Sequence, residues 1–211
     1  MSEPARNYGT GTRDRILDAA EVLFIQYGFS ATSLRAIANE AEVNLAATHY
    51  HFGSKFGLLA EVFHRRVGPV DQARRHALVA LQAKTAHPDV RGIVQAFLSP
   101  FYEVDEEFLR VAPALIGSIH AEPEAISKPL LEGEFADLTQ LYITALSQAM
   151  PQVSEADMRW RFHFMVGAML QLVRYMTPLG STQPNEDFAD SLDRLVDFVV
   201  GGICQGQESA I

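Results

Sequence analysis

Apolar residues recur at three- and four-residue steps along nearly the whole chain, and no segment shows the alternation of a strand followed by a hairpin turn. The pattern predicts an all-α protein. A first helix is expected over residues 12–27, where Ile16, Ala20, Leu23 and Tyr27 form one stripe, widened by Leu17 and Phe24. Thr12 is its candidate N-cap, Asp14 suits the positive helix end, and Gly28 is the stop. A second helix, 33–41, is capped by Thr32 or Ser33 and turns Leu34, Ile37, Ala38 and Ala41 inward. The turn Glu42-Val43-Asn44 then leads into a very short helix, 45–51, with Asn44 as its N-cap and Val43 and Thr48 facing inward. Gly53 breaks that helix, and Ser54 caps a fourth that starts at Lys55 and carries Leu58, Leu59, Val62 and Phe63.

Two helices of about eight residues cannot stand alone in water. They need a platform, which the first and fourth helices supply. A supporting helix, a tight turn and a reading helix held on a small core make a helix-turn-helix, here spanning residues 33–52. Residues 1–10 read as a disordered arm, 11–68 as the DNA-binding domain, 69–205 as a larger helical domain and 206–211 as a tail. Gly68-Pro69 is taken as the break between the two domains. Beyond it, helices are expected at roughly 70–84, 89–102, 105–120, 124–149, 154–177 and 185–204, giving about nine in all.

The last two carry more apolar surface than one buried side needs. In 154–177, Met158, Phe162, Met165, Met169, Leu172 and Met176 step by four and three, while Phe164, Ala168 and Tyr175 extend onto another face. In 185–204, Phe188, Leu192, Leu195 and Val199 make one stripe, and Val196, Val200 and Ile203 a second. A four-helix bundle shared by two protomers would use both faces. Phe164, Ala168, Tyr175, Leu192, Val196, Val199 and Ile203 are therefore the expected homodimer interface. Phe97, Phe101, Leu115, Ile119, Tyr142, Phe162 and Met165, apolar residues of the middle helices, are the expected lining of an effector pocket, although such residues equally serve as plain core.

Composition narrows the class. The 211 residues are 48% hydrophobic and 20% charged, ordinary for a globular protein with a sizeable core. One cysteine, Cys204, cannot form an internal disulfide, which fits a reducing, cytoplasmic setting. The N-terminus has no apolar signal region, and the most apolar run, 162–173, is too short to span a bilayer, so no membrane association is expected. The net charge of −9 opposes nucleic acid at first sight. Residues 1–66 nevertheless hold seven basic and seven acidic residues, so the whole deficit lies further on, and DNA attraction depends on the local field.

Candidate chemistry concentrates in the short helices. Ser33 opens the second helix and Arg35 lies on its outer face, where a guanidinium suits guanine or phosphate. Asn44, Leu45, Ala46 and Ala47 form the leading turn of the reading helix, and small alanines allow close approach to base edges. Asn44 can equally be a cap alone. Consecutive helical residues point about 100° apart, so His49 and His51 do not converge, and with no third ligand near no metal site is expected. They and Tyr50 are candidates for phosphate or base contact, with core packing as the alternative for Tyr50. Ser54 and Lys55 place a helix N-terminus and an ammonium together, a ready phosphate anchor. No Gly-x-Ser-x-Gly elbow, phosphate-binding loop or dinucleotide fingerprint is present, so neither an enzyme nor a cofactor is expected. His120 and His163 read as core histidines that could also orient a ligand's polar head.

Several of these residues fall in an ordered series. Arg15-Ile16-Leu17-Asp18-Ala19-Ala20, Leu23-Phe24, Tyr27-Gly28-Phe29, Thr32-Ser33-Leu34-Arg35-Ala36-Ile37-Ala38, and Val43-Asn44 through Tyr50-His51-Phe52-Gly53-Ser54-Lys55 together resemble the TetR family of bacterial regulators. The resemblance covers about a quarter of the chain. Asn44-Leu45-Ala46-Ala47 with the run 50–55 looks like the subgroup of fatty-acid-responsive repressors. Departures from the family are Leu45 in place of a polar residue, Thr48 in place of Leu or Ile, His49 in place of Tyr or Asn, and Phe56-Gly57 in place of a helix-friendly pair. The resemblance implies a homodimer bound to an inverted-repeat operator in double-stranded DNA, with Arg35 reaching the duplex, and repression relieved by a small apolar or acyl effector.

Overall fold

The computed structural model describes residues 11–175 and 188–205. The expected arm 1–10, the tail 206–211, Met176 and the start of the helix expected at 185 lie outside the described residues. Among those residues the chain is helical throughout, with nine α-helices and one 3-10 turn. These are α1 (Thr12–Ala31), α2 (Leu34–Glu40), α3 (Leu45–Phe52), α4 (Lys55–Lys84), α5 (Val90–Leu98), a 3-10 turn (Ser99–Tyr102), α6 (Glu106–His120), α7 (Glu124–Ala149), α8 (Glu155–Tyr175) and α9 (Phe188–Cys204).

Two compact units emerge. The first comprises the chain up to Gly68 together with Ala114–Glu134; the second comprises Pro69–Pro113 and Phe135 onward. The segment Ala114–Glu134, expected in the larger domain, belongs with the unit that holds the helix-turn-helix. The expected helix break at Gly68-Pro69 does not occur: α4 runs through it with Pro69 inside. A proline in a helix interior costs about 3 kcal/mol, because it removes one amide donor and crowds the preceding turn. Val62, Phe63 and Val67 before it and Val70 and Leu78 after it are all buried, which outweighs that local cost.

In the first unit, Ile16, Leu17, Ala20 and Phe24 of α1, Ile37 and Ala38 of α2, Phe52 of α3, and Leu58, Leu59, Val62 and Phe63 of α4 are buried. α1, α2 and α3 pack on one another pairwise. Ion pairs tie α1 to α4: Arg65 reaches Asp18 at 2.6 Å, and Arg66 holds the buried Glu21 through two nitrogens, at 2.5 and 2.6 Å. Arg13 pairs with Glu61 at 2.5 Å. Three of the basic residues counted near the N-terminus therefore neutralise acids of their own unit.

The second unit has its own apolar cluster. It includes Leu78, Ile93, Phe97, Phe101, Tyr142, Leu146, Met158, Phe162, Met165 and Met169, along with Leu192, Val196, Val199 and Ile203 of α9. Leu115 and Ile119, expected beside Phe97 and Phe101 in one pocket, are buried but fall in the first unit. The division lies inside α6 at Pro113–Ala114, so the two ends of that helix serve different units.

The expected dimer face on α9 also needs correction. Leu192, Val196, Val199 and Ile203 are at most 4% exposed, packed within the protomer's own core, and present no surface to a partner. The large apolar side chains exposed on these helices are Trp160 and Phe164 on α8 and Phe198 on α9. Ala168 is half-buried, and the side chain of Tyr175 lies outside what is described. The two stripes of α9 form one broad buried face; the outward residue Phe198, beside Asp197, belongs to neither stripe.

Candidate nucleic-acid interface

The helix-turn-helix is held by side-chain caps at both starts. Ser33 Oγ accepts from the Ala36 amide at 3.1 Å, fixing the first turn of α2. Asn44 Oδ1 accepts from the Ala46 amide at 2.9 Å, fixing the first turn of α3. Each cap satisfies one orphan donor of a short helix, typically contributing about 1 kcal/mol. Between them the chain reverses through Glu42, which takes the left-handed conformation at φ 53°. The Ala41 amide bonds to the Ile37 carbonyl at 2.9 Å and the Val43 amide to the Ala38 carbonyl at 2.9 Å, which closes the turn.

On α3 the inward face is narrow. Thr48 and Phe52, one turn apart, are its buried residues. Thr48 stands where an aliphatic residue is common, and its hydroxyl donates to the Leu45 carbonyl at 2.7 Å, so it enters the core with its polar group satisfied locally. Leu45 and Ala47 are half-buried, whereas Ala46, His49, Tyr50 and His51 are exposed. Tyr50 is 86% exposed, which excludes the core-packing alternative; its ring meets His51 edge-on at 5.1 Å. His49 Nδ1 lies 3.3 Å from the Gly53 carbonyl. Arg35, the second residue of α2, is exposed on its outer face. Ser33, Arg35, Ala46, His49, Tyr50 and His51 thus share the exposure a duplex contact requires.

The Ser54-Lys55 pair behaves differently from the expected phosphate anchor. Ser54 Oγ accepts from the Gly57 amide at 3.0 Å and caps α4. The Lys55 ammonium, rather than projecting outward, donates to the carbonyls of Phe29 at 2.8 Å and Thr32 at 2.9 Å and sits 4.2 Å from the centre of the Phe29 ring. α1 leaves helical geometry at Gly28, with φ 80° and ψ 165°; the Phe29 carbonyl also accepts the Thr32 amide at 3.2 Å, and the lysine is a further donor to it besides bonding that of Thr32. Lys55 is accordingly a clamp on the loop between α1 and α2.

Sequence reasoning missed a second clamp on that loop. Glu122, from the turn between α6 and α7, accepts the Ser30 amide at 3.0 Å and the Ser30 hydroxyl. Its partial burial alone would raise its pKa. The hydrogen bonds from Ser30 and Phe29 and the charge of Lys55 outweigh that and hold the carboxyl below its ordinary range. No spacing in the sequence links residues this far apart. Among the described residues no cluster of His, Cys, Asp and Glu could hold a metal, and no helix is long and apolar enough to cross a membrane.

Capped short helices, a closed turn and an outward recognition face define a helix-turn-helix protein of the DNA-reading kind. Comparison with known proteins gives the same class. Residues 16–62 match the description "Bacterial regulatory proteins, tetR family", and residues 95–202 match "Tetracyclin repressor-like, C-terminal domain". The second match spans just over half of the chain, and the protein belongs to the TetR family. Among curated relatives, the chain is 50% identical over 48 residues to a protein of Bacillus subtilis (strain 168) described as a probable HTH-type transcriptional regulator, YttP, covering 23% of each chain. It is 24% identical over 128 residues to the biofilm operon negative transcriptional regulator IcaR of Staphylococcus aureus (strain Newman), covering 61% of this chain and 63% of that one. The chain spans about a quarter of the length of the first curated relatives it matches. Among solved structures, NalD of Pseudomonas aeruginosa, titled the secondary repressor of the MexAB-OprM multidrug efflux pump, aligns with a TM-score of 0.63 at 21% identity, over 90% of this chain and 96% of that one. That likeness is one of fold.

Proposed function

We propose that the protein is a ligand-responsive transcriptional regulator, a repressor that binds an inverted-repeat operator as a homodimer and is released by a small apolar effector. The observation that carries this reading is the recognition helix itself. α3 is anchored through Thr48 and Phe52 and capped by Asn44, while Ala46, His49, Tyr50 and His51 face outward on a rigid support. Arg35 on α2 supplies a cation beside it. The first turn of α4, capped by Ser54, offers backbone amides to a phosphate without needing the Lys55 side chain.

A second copy supplies the other half of the reading. Trp160 and Phe164 stack at 5.8 Å on the outer side of α8. Phe198 lies exposed on α9, which packs against α8, and Gly201 and Gly202 have open space where a Cβ would stand. This surface admits the close approach of two helices from a partner, forming a four-helix bundle. Two recognition helices then enter successive major grooves. An effector releases the operator only if it binds the DNA-incompetent state more tightly than the competent one. The regulator acts where its operator lies, in the cytoplasm. An acyl effector, as the fatty-acid-responsive subgroup suggests, is consistent with the apolar core of the second unit.

Selection of bound sequences from random duplex, followed by gel shift at several salt concentrations, tests the reading. The expected result is an inverted-repeat site bound with a steep salt dependence. Tyr50→Ala, at an exposed position, should leave the melting temperature unchanged and weaken specific binding about tenfold or more, the ordinary size of a lost base contact. A folded dimer with no salt-sensitive affinity for any duplex would overturn it in favour of an all-helical carrier or adaptor.

A further inference from the structure

In the second unit, Arg74 is the one charged side chain among the described residues that is buried, at 3% exposure. Its guanidinium carbon lies 3.9 Å from the Phe97 ring centre and 5.2 Å from that of Phe101. Nε donates to the Phe97 carbonyl at 3.0 Å, and Nη1 to Asp71 Oδ1 at 3.0 Å. Nη2 meets, among the described residues, the thioether of Met169 at 3.0 Å. The backbone beneath is fixed by Tyr142, fully buried, whose hydroxyl donates to the Arg74 carbonyl at 2.8 Å.

Stability alone does not account for this residue. Removing a guanidinium from water costs several kcal/mol, and a well-packed apolar side chain in its place is often as stable or more so. Burial lowers the Arg74 pKa, and Asp71 only partly offsets it. Five N–H groups radiate from a guanidinium, and a thioether is among the weakest acceptors in a protein. The Nη2 edge is therefore under-satisfied in the middle of an apolar core. Methionine is unbranched and readily changes rotamer, so Met169 can yield that edge to a better acceptor. A carboxylate oxygen is such an acceptor. Phe162, edge-on to Phe97 at 5.3 Å, and Met165 belong to the same cluster and supply apolar surface for a tail.

We propose that Arg74 is the head-group anchor of the effector site, and that the effector is an organic carboxylate with an apolar tail. This rests on the reading of the chain as ligand-responsive. It names the chemical class: the carboxylate displaces the Met169 thioether from Nη2 while Asp71 keeps Nη1, and the tail lies against the aromatic and methionine side chains. The recognition is of charge and shape together, as expected for an apolar site with one buried polar group.

Calorimetric titration of the protein with decanoate, 2-naphthoate, decanol and decyltrimethylammonium tests this. At least one carboxylate is expected to bind tenfold or more tightly than decanol, the choice between them reporting an aliphatic or an aromatic tail. Arg74→Gln should bring that carboxylate to the level of decanol. Arg74→Lys, which keeps the charge without a second terminal nitrogen, should lose a large part of the preference; it carries the test should the glutamine variant fail to fold. Met169→Leu should retain it. Equal binding of decanol and both carboxylates, tighter binding of the ammonium probe, or no binding of any of the four overturns the proposal. Duplex binding by the same preparation separates the cases: with it intact, only the ligand class is refuted, and with it absent, the regulator reading falls as well.

Discussion

Ser30 and Glu122 are joined through both the amide and the hydroxyl of the serine, across 92 positions of sequence. The carboxylate must be ionised to accept both. Because its folded pKa lies below its ordinary value of 4.5, it stabilises the fold fully above that pH and loses the effect as pH falls through the lower, folded value. Glu122→Gln should therefore be less stable than the parent at pH 7, and the difference should vanish in strong acid. Urea unfolding across pH 3–7 measures this; a difference that persists unchanged at pH 3 would mean the charge is irrelevant.

Lys55 separates a clamp from a phosphate contact. With both carbonyl partners inside the protein, Lys55→Met should lower stability by about 1–2 kcal/mol, the range for a charge-assisted hydrogen bond in a partly exposed setting. Its effect on the salt dependence of duplex binding should be small. Arg35→Ala should do the reverse, leaving stability unchanged and reducing the salt slope by about one unit. A reduced slope for Lys55→Met at unchanged stability would restore the phosphate role.

Gly57 is required despite its low helix propensity. A Cβ at that position would lie 2.5 Å from the Phe52 carbonyl oxygen, a backbone atom that cannot step aside. Gly57→Ala should destabilise by about 1–3 kcal/mol through overpacking, although alanine is the better helix former. Gly28→Ala should cost a similar amount for a different reason, its φ of 80° and ψ of 165° lying in a region nearly restricted to glycine. Thermal or denaturant unfolding of each decides, and an increase in stability for Gly57→Ala would refute the close approach.

These cases show where the sequence was legible. Asn44 could be read as a cap, and Ser33 as one of two candidates with Thr32, because a cap acts within three residues; Ser33 accepts from the Ala36 amide and Asn44 from the Ala46 amide, whereas the expected cap Thr12 is not one, Gly11 standing at the N-cap of α1 with no side-chain bond. The inward Ile37, Ala38, Thr48 and Phe63 follow from local periodicity in the same way. Lys55 could not be read correctly, because its partners exist only once Gly28 turns the chain and exposes two carbonyls. Glu122 and Arg74 carry no local signature at all; each acts on residues brought near by tertiary packing. For α9, periodicity found the apolar residues but counted two faces where Leu192, Val196, Val199 and Ile203 share one. Of the pair Phe56-Gly57, which stands in place of a helix-friendly pair, Gly57 answers a steric requirement at the end of α3, where a Cβ would meet the Phe52 carbonyl.

The exposed aromatic surface of α8 and α9 yields a further expectation. Trp160→Glu and Phe198→Glu should shift the protein from dimer to monomer in analytical ultracentrifugation, with the helical content of the protomer unchanged, since both side chains are more than half exposed. Leu195→Glu, at a buried position, should instead unfold the second unit. A stable dimer in both exposed-site variants would place the interface elsewhere.

Two side chains, Thr48 and Phe52, hold the recognition helix to its support, and neither needs its outward neighbours to do so. Folding and meaning are thereby written in different residues of one eight-residue segment. Ala46, His49, Tyr50 and His51 are exposed and can be exchanged without disturbing the core, so on the proposed reading a descendant of this chain would acquire a new operator by a few surface substitutions while its fold stayed under the same selection.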